Sequence, residues 1–166
     1  MTATAAPTGS PSMRGVFVPL VTAGLAGGAI DAVYATGLSL MRGGSALRPW
    51  RSVASGWIGQ TARDGGAATA GLGLLTHFAI ALCMAAAFAA VAGRVKLLYQ
   101  RPLLFGALYG LILYLVMYRI VLPLRWPTIF PRWDGWISLT DIASHVGVGL
   151  AIALVLARAH RDPRGR

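Results

Sequence analysis

The chain has 166 residues, of which 56% are hydrophobic and only 12% are charged. This composition is too apolar for a water-soluble domain and indicates a polytopic membrane protein. The net charge of +10 comes mostly from arginines and lysines that flank apolar segments, a pattern typical of membrane spans that argues against nucleic-acid binding. The single cysteine, Cys83, excludes a disulfide within the chain.

The N-terminal part consists of a tail and the first apolar segment. Residues 1–13 are mostly Ala, Thr, Ser, Pro and Gly, which predicts disorder. Residues 16–40 are long enough to cross a hydrocarbon core of about 30 Å. Gly24 and Gly28 have the small-residue spacing that brings membrane helices together, which places Asp31 against a neighbouring helix rather than in lipid. A cleaved signal peptide is a weaker alternative, because the apolar run is long for one.

The first link contains a short amphipathic segment. Its apolar residues follow the i, i+3, i+4, i+7, i+8 spacing of one helix face: Trp50, Val53, Ala54, Trp57 and Ile58. Pro49 suits the first turn of such a helix, and the two tryptophans suit the headgroup boundary of a membrane. We predict an interfacial helix that caps the bundle, with a re-entrant gate as the alternative.

Two further spans follow this helix. Residues 67–92 form the second and carry His77 in an apolar, alanine-rich context. Residues 102–123 form the third, which begins with another close-packing pair of glycines and carries Arg119 near its far end. The link between these spans is basic and contains no acidic residue.

The fourth span, residues 136–156, carries two ionisable residues. Asp141 and His145 are four residues apart, so they lie on one face of a helix. An ionised side chain near the bilayer centre costs roughly 2.5–3.5 kcal/mol on insertion scales, so this face must point into the bundle. The chain ends in a basic tail, residues 159–166.

These segments predict an all-α membrane protein, a four-transmembrane-helix bundle with a short amphipathic interfacial helix in the first loop. Residues 14–158 form its one domain. The termini and the second link carry eight Lys or Arg residues and the other two links carry six, which favours cytoplasmic termini. All five tryptophans lie in or beside the first and third links, and we call this end of the bundle the tryptophan-rich side.

Five ionisable residues lie in the half of the bundle nearest the tryptophan-rich side, judged at roughly 1.5 Å per residue from the midpoint of each span: Asp31, His77, Arg119, Asp141 and His145. We predict that they form one buried polar site. With both carboxylates and the guanidinium ionised, the cluster lacks one positive charge. Neutrality then requires a protonated histidine, a protonated aspartate or a bound cation.

Other interpretations use the same residues. In a structural one, Asp141 holds the imidazole of His145, while Arg119 pairs with Asp31 or extends to the interface. His77 and His145 are also the two axial ligands that a b-type haem needs, and with Asp141 they form a possible metal site. Serines near His145 lack a nucleophile-elbow motif, so no enzyme activity is predicted, and we expect no bound cofactor.

Short motifs in the last ninety or so residues are similar to the YagU-like family of bacterial inner-membrane proteins. They are Thr76-His77-Phe78, Leu104-Phe105-Gly106-Ala107-Leu108, Leu122-Pro123-Leu124, and an acid four residues before a histidine at Asp141 and His145. The resemblance implies an integral inner-membrane protein loosely associated with acid tolerance. It assigns no catalytic residue.

The sequence thus predicts a small inner-membrane protein with a buried protonatable site, acting in transport, in proton-linked sensing or as a membrane accessory subunit. A purely structural or assembly protein is the first alternative and a haem-binding redox subunit the second. Its surroundings are the lipid bilayer and either further copies of the chain or a membrane partner. Because a bundle of this size has little room for a cavity of several hundred Å³, we expect most transport roles to require oligomerisation.

Overall fold

The computed structural model of the protein describes residues 13–161, with side chains from residue 15 onward. These residues form helices and loops, and no strand occurs among them. The predicted disordered tail, residues 1–13, lies outside the described residues except for Met13, which begins the first helix. Of the predicted basic tail, residues 159–166, the first three residues continue the last helix to Arg161, and the others lie outside the described part.

In chain order the helices of the described residues are α1 (Met13–Met41), α2 (Arg48–Ile58), α3 (Ala67–Arg94), α4 (Leu97–Gln100), α5 (Pro102–Val116), α6 (Leu122–Arg125) and α7 (Trp136–Arg161). A 3-10 turn, Gly59–Asp64, follows α2, and a π-helical turn, Met117–Val121, joins α5 to α6. Within residues 13–161, four segments are long and apolar enough to span a membrane: Gly15–Met41, Ala67–Arg94, Pro102–Arg125 and Trp136–Arg161. We call Pro102–Arg125 the third span. The predicted all-α, four-span architecture is confirmed.

The spans pack in the order α3, α1, α7 and third span, so that α1 and α7 are central. The outer two spans touch where Tyr109 Oη donates to the Met84 carbonyl at 2.7 Å and the Tyr109 ring packs against Phe88. From there toward the tryptophan-rich side they diverge, and residues of both spans line the cavity that separates them. The bundle is therefore closed at one end and open at the other.

Close packing between α5 and α7 requires glycine. A Cβ on Gly110 would lie 2.5 Å from the Val146 Cα, nearer than real Cβ contacts occur. A Cβ on Gly28 would lie 2.8 Å from the Phe78 ring of α3. Small residues at both positions let the backbones approach, as the glycine spacing predicts.

Helix α2 crosses α3 near Gly73, where an added Cβ would lie 2.6 Å from the Trp50 carbonyl carbon. Trp50 and Ala54 are buried there, and Trp57 Nε1 donates to Thr76 Oγ1 at 3.0 Å. Because α3 has 28 residues, it is about 42 Å long and extends past a core of about 30 Å, which places the crossing near the membrane boundary. The amphipathic helix thus lies at the interface and also walls the open end of the bundle.

The apolar core fills the closed end. Phe88 of α3 and Ile152 of α7 are its largest fully buried side chains, and Ala23, Ala85 and Leu113 pack in the same cluster. The outward faces of the spans expose large apolar side chains, which suits contact with lipid rather than water.

Candidate functional site

Asp31 of α1 and His77 of α3 face each other in the open half of the bundle. His77 Nδ1 lies 3.9 Å from Asp31 Oδ2, and His77 Nε2 lies 2.9 Å from the Gly28 carbonyl oxygen. The other carboxylate oxygen, Asp31 Oδ1, accepts a hydrogen bond from Ser144 Oγ of α7 at 2.9 Å. The Trp50 ring packs on the imidazole, with centroids 5.2 Å apart. Only 25% of the Asp31 side chain and 14% of the His77 side chain are exposed.

The second carboxylate is buried against α1. Asp141 is 8% exposed, and its Oδ1 accepts a hydrogen bond from Tyr34 Oη at 2.7 Å. Tyr34 Oη also lies 2.8 Å from Thr140 Oγ1. A short bond from a hydroxyl to a carboxylate is charge-assisted and among the stronger hydrogen bonds in proteins. This contact joins α1 to α7.

His145 is held by the backbone of its own helix. Its Nδ1 lies 2.9 Å from the Asp141 carbonyl oxygen, so the predicted contact of the imidazole with the Asp141 carboxylate is wrong. The carboxylate points to Tyr34 instead. Two rings of the third span pack edge-on against the imidazole: Tyr114, with centroids 5.8 Å apart, and Tyr118, with centroids 5.7 Å apart. Tyr118 belongs to the π-helical turn, and such turns often occur at functional sites.

A cavity of about 860 Å³ opens beside these groups. Asp31, Tyr34, His77, Asp141 and His145 all line it, together with apolar side chains of every span and of α2. The expectation that a single chain has little room for a substrate cavity is wrong. The reason is the divergence of α3 from the third span, which the order of the segments in the sequence does not reveal.

The cavity has a charge gradient. Its interior carries the two aspartates, whereas its mouth on the tryptophan-rich side carries four arginines: Arg42, Arg48, Arg125 and Arg132. Asp134 forms ion pairs with Arg42 at 3.7 Å and with Arg132 at 2.9 Å, outside the cavity lining. The interior is thus anionic when both carboxylates are ionised, and the mouth is cationic.

Arg119 does not join this cluster. Its side chain is exposed, does not line the cavity, and forms no ion pair with the described residues. Arg119 was predicted in the site from its depth in the membrane alone, and depth does not determine which way a side chain points. Gly110, Leu113 and Tyr114 define the inward face of the third span, and Tyr118 continues it. Arg119 follows Tyr118 by one residue, so it lies on a different face of the turn, and its side chain is exposed.

Four polar or aromatic partners of the site escaped sequence reasoning: Tyr34, Trp50, Tyr118 and Ser144. Tyr34 follows Asp31 by three residues, and this helical spacing is a signal that could have indicated it. Ser144 donates to Asp31 of another helix, a contact that no local spacing indicates. Trp50 and Tyr118 come from segments whose tertiary placement no local pattern specifies.

The histidine nitrogens bear on the haem and metal alternatives. His77 Nε2 is engaged by the Gly28 carbonyl and Nδ1 faces Asp31, so axial ligation of a haem through His77 would require breaking one of these contacts. Among the described residues, no three His, Cys, Asp or Glu side chains come together as ligands of one metal ion. In His145, Nδ1 contacts the Asp141 carbonyl, and Nε2 has no hydrogen bond to the described protein atoms.

Comparison with family models, with curated proteins and with solved structures gives no match. The resemblance to YagU-like proteins therefore stays a prediction. The fold and site define the chain as a multi-pass α-helical membrane protein with a mostly apolar cavity between its spans, into which a few ionisable groups converge.

Proposed function

We propose that this protein is a membrane-embedded binding protein whose cavity exchanges a proton with its guest or its surroundings, in transport or in proton-linked sensing. The proposal depends chiefly on the Asp31–His77 pair. A carbonyl oxygen can only accept a hydrogen bond, so the contact with Gly28 requires a hydrogen on His77 Nε2. In a neutral imidazole, Nδ1 would then direct a lone pair at the Asp31 carboxylate. A proton held between the two groups removes this repulsion.

The surroundings of the pair favour an exchangeable proton. At 3.9 Å the two atoms are too far apart for a direct hydrogen bond, which would be about 2.7–3.2 Å, so the pair is not locked in one state. Arg119 lies outside the cavity. Among the described residues, the cavity interior therefore has two carboxylates, Asp31 and Asp141, and no arginine or lysine beside them. The titratable groups that share the cavity with His77 are Asp31, Tyr34, Tyr118, Asp141 and His145, with the arginines at its mouth.

The cavity is large enough for a guest without a second chain. Small-molecule sites commonly have volumes of about 300–1,000 Å³, and this one has about 860 Å³. Its walls are mostly apolar, with a few convergent polar groups, which is the usual composition of a binding site.

We also propose that the protein is a YagU-like protein of a bacterial inner membrane with both termini cytoplasmic. Reporter fusions at Met1 and Arg166 test this orientation, and a periplasmic C-terminus would overturn it.

The test of proton linkage compares stability across pH. If the pair binds its proton in the folded protein, whereas an unfolded imidazole releases it above about pH 6.5, folding is favoured at low pH and stability falls as pH rises. Purified wild-type protein should therefore lose stability as pH rises above about 6.5, and Asp31→Asn and His77→Gln should flatten that part of the profile. His160→Gln is the matched control, because His160 stacks on Tyr99 outside the cavity. An unchanged profile in both site variants would refute proton linkage.

A structural role is the second candidate, and two contacts favour it. Ser144 bonds Asp31, and Tyr34 bonds Asp141, so both carboxylates tie α1 to α7. A purely structural cluster predicts that the site variants lower stability equally at every pH.

A further inference from the structure

A second, smaller cavity of about 650 Å³ lies at the level of α2 on the tryptophan-rich side. Four arginines line it, from α2, the 3-10 turn and the third link: Arg48, Arg51, Arg63 and Arg132. Its described lining residues include no carboxylate. The remaining wall is largely apolar, formed by side chains such as Val53, Leu122 and Trp126. A cationic pocket with an apolar wall is complementary to an anionic group attached to an apolar body.

Arg51 is the fixed centre of this pocket. One terminal nitrogen, Nη1, donates to the Arg63 carbonyl at 3.2 Å and to the Gly65 carbonyl at 2.9 Å. The other, Nη2, donates to Ser45 Oγ at 3.3 Å. All three acceptors are neutral, so the guanidinium is held in position while its charge stays uncompensated. Its buried Nε has no hydrogen-bond partner in the described structure. A preorganised, unneutralised guanidinium is well suited to a phosphate oxygen.

The arginine pocket is continuous with the large cavity. Several residues of the arginine pocket also line the large cavity, among them Arg48, Val53, Leu122 and Trp126. A headgroup in the arginine pocket would therefore place its apolar chain in the large cavity, between α3 and the third span. The position of α2 near the membrane boundary puts the pocket at the depth of lipid headgroups.

We propose that the guest of this protein is an anionic, phosphate-bearing amphiphile of the bilayer, with its phosphate bound by Arg48 and Arg51 and its apolar chain in the large cavity. This inference rests on the proposed function of that cavity as a binding site. It adds the chemical class of the guest and the residues that select it. Phosphatidic acid is a simple probe of this class, and phosphatidylcholine with the same chains is its counterpart without net charge.

The experiment titrates each lipid into detergent-solubilised protein and measures affinity by intrinsic tryptophan fluorescence. We expect phosphatidic acid to bind about tenfold or more tightly than phosphatidylcholine, and Arg51→Gln to weaken its binding by about tenfold, the effect of one lost charge-assisted hydrogen bond. Arg94→Gln is the matched control, because Arg94, the last residue of α3, also donates to a backbone carbonyl, that of Ala90 at 3.1 Å. The Arg48 side chain lines the pocket but makes no hydrogen bond to the residues that the structure describes, so Arg48→Gln tests the site if Arg51→Gln fails to fold.

Three outcomes would overturn the proposal: equal affinity for the two lipids, equal weakening by Arg94→Gln and the pocket variants, or binding of inorganic phosphate as tight as that of phosphatidic acid. The last would identify a site for a free anion instead. The lipid affinities of Asp31→Asn, measured at the same pH, separate this inference from the proton site, because the lipid preference depends on the arginines alone and should persist in this variant. A stability profile of the wild-type protein that is flat across pH would refute proton linkage and leave the lipid preference standing.

Discussion

The hydrogen bond between Tyr34 and Asp141 provides a quantitative test of the buried cluster. Tyr34→Phe removes the donor and leaves a carboxylate that is only 8% exposed without its 2.7 Å partner. Hydrogen bonds to charged groups contribute about 1.5–3 kcal/mol, whereas interhelical bonds measured in a membrane protein average about 0.6 kcal/mol and reach about 1.7. Because this bond is short, partly buried and charge-assisted, we expect a loss of about 1.5 kcal/mol in the free energy of unfolding.

The assay is equilibrium unfolding of detergent-solubilised protein, with Tyr34→Phe, Asp141→Asn and the double variant forming a cycle. The double variant should be more stable than the sum of the single losses predicts, by about 1 kcal/mol, because removing both partners leaves no stranded charge. Tyr109→Phe is the matched control: its hydroxyl donates to the neutral Met84 carbonyl at the same 2.7 Å distance. That variant should lose about 0.6 kcal/mol and show no coupling to Asp141→Asn. Additive losses for Tyr34 and Asp141 would refute the assignment of this bond.

Three further outcomes follow from the same geometry. Arg119→Gln should change stability by less than about 0.5 kcal/mol, and its effect should be additive with that of Asp141→Asn, since the arginine is exposed. Non-additive losses would show instead that Arg119 interacts with the polar cluster. Gly110→Ala should destabilise by about 1–3 kcal/mol, whereas Gly71→Ala, with no atom within 4 Å of the added Cβ, should not; equal effects would refute the close α5–α7 contact. Purified protein should show no Soret band, because both ring nitrogens of His77 face protein oxygens; a stoichiometric band lost in His77→Ala would establish haem ligation.

Hydropathy and helical spacing were sufficient for the architecture. Apolar segments of the length of a membrane define the four spans, and the pattern from Trp50 to Ile58 gives the amphipathic helix. These features depend on local sequence, since the hydropathy of each residue and its place in the helical period determine whether a segment spans the membrane or lies at its surface. Glycine spacing was informative for the same reason, because a residue without a side chain permits close approach whichever helix supplies the partner.

The composition of the site was only partly predictable. Asp31, His77, Asp141 and His145 do line one cavity, because each is costly in lipid and must face inward. The failure of Arg119 has the converse cause: a long side chain near the end of a span can extend to the interface, so charge alone does not force it inward. The cavity itself was not predictable. Its volume comes from the divergence of two helices, a tertiary property that no local signal carries.

The Asp31–His77 pair is the centre of this account, and nitrogen NMR of histidine-labelled protein in lipid nanodiscs measures it most directly. Above about pH 6.5, where an unpaired imidazole releases its proton, we predict that both ring nitrogens of His77 carry a proton and that Asp31→Asn lowers the protonated fraction. His77→Gln assigns the signal by its disappearance. A His77 Nδ1 that stays unprotonated from about pH 5 to 8 would contradict the proposal of a proton held between these two side chains.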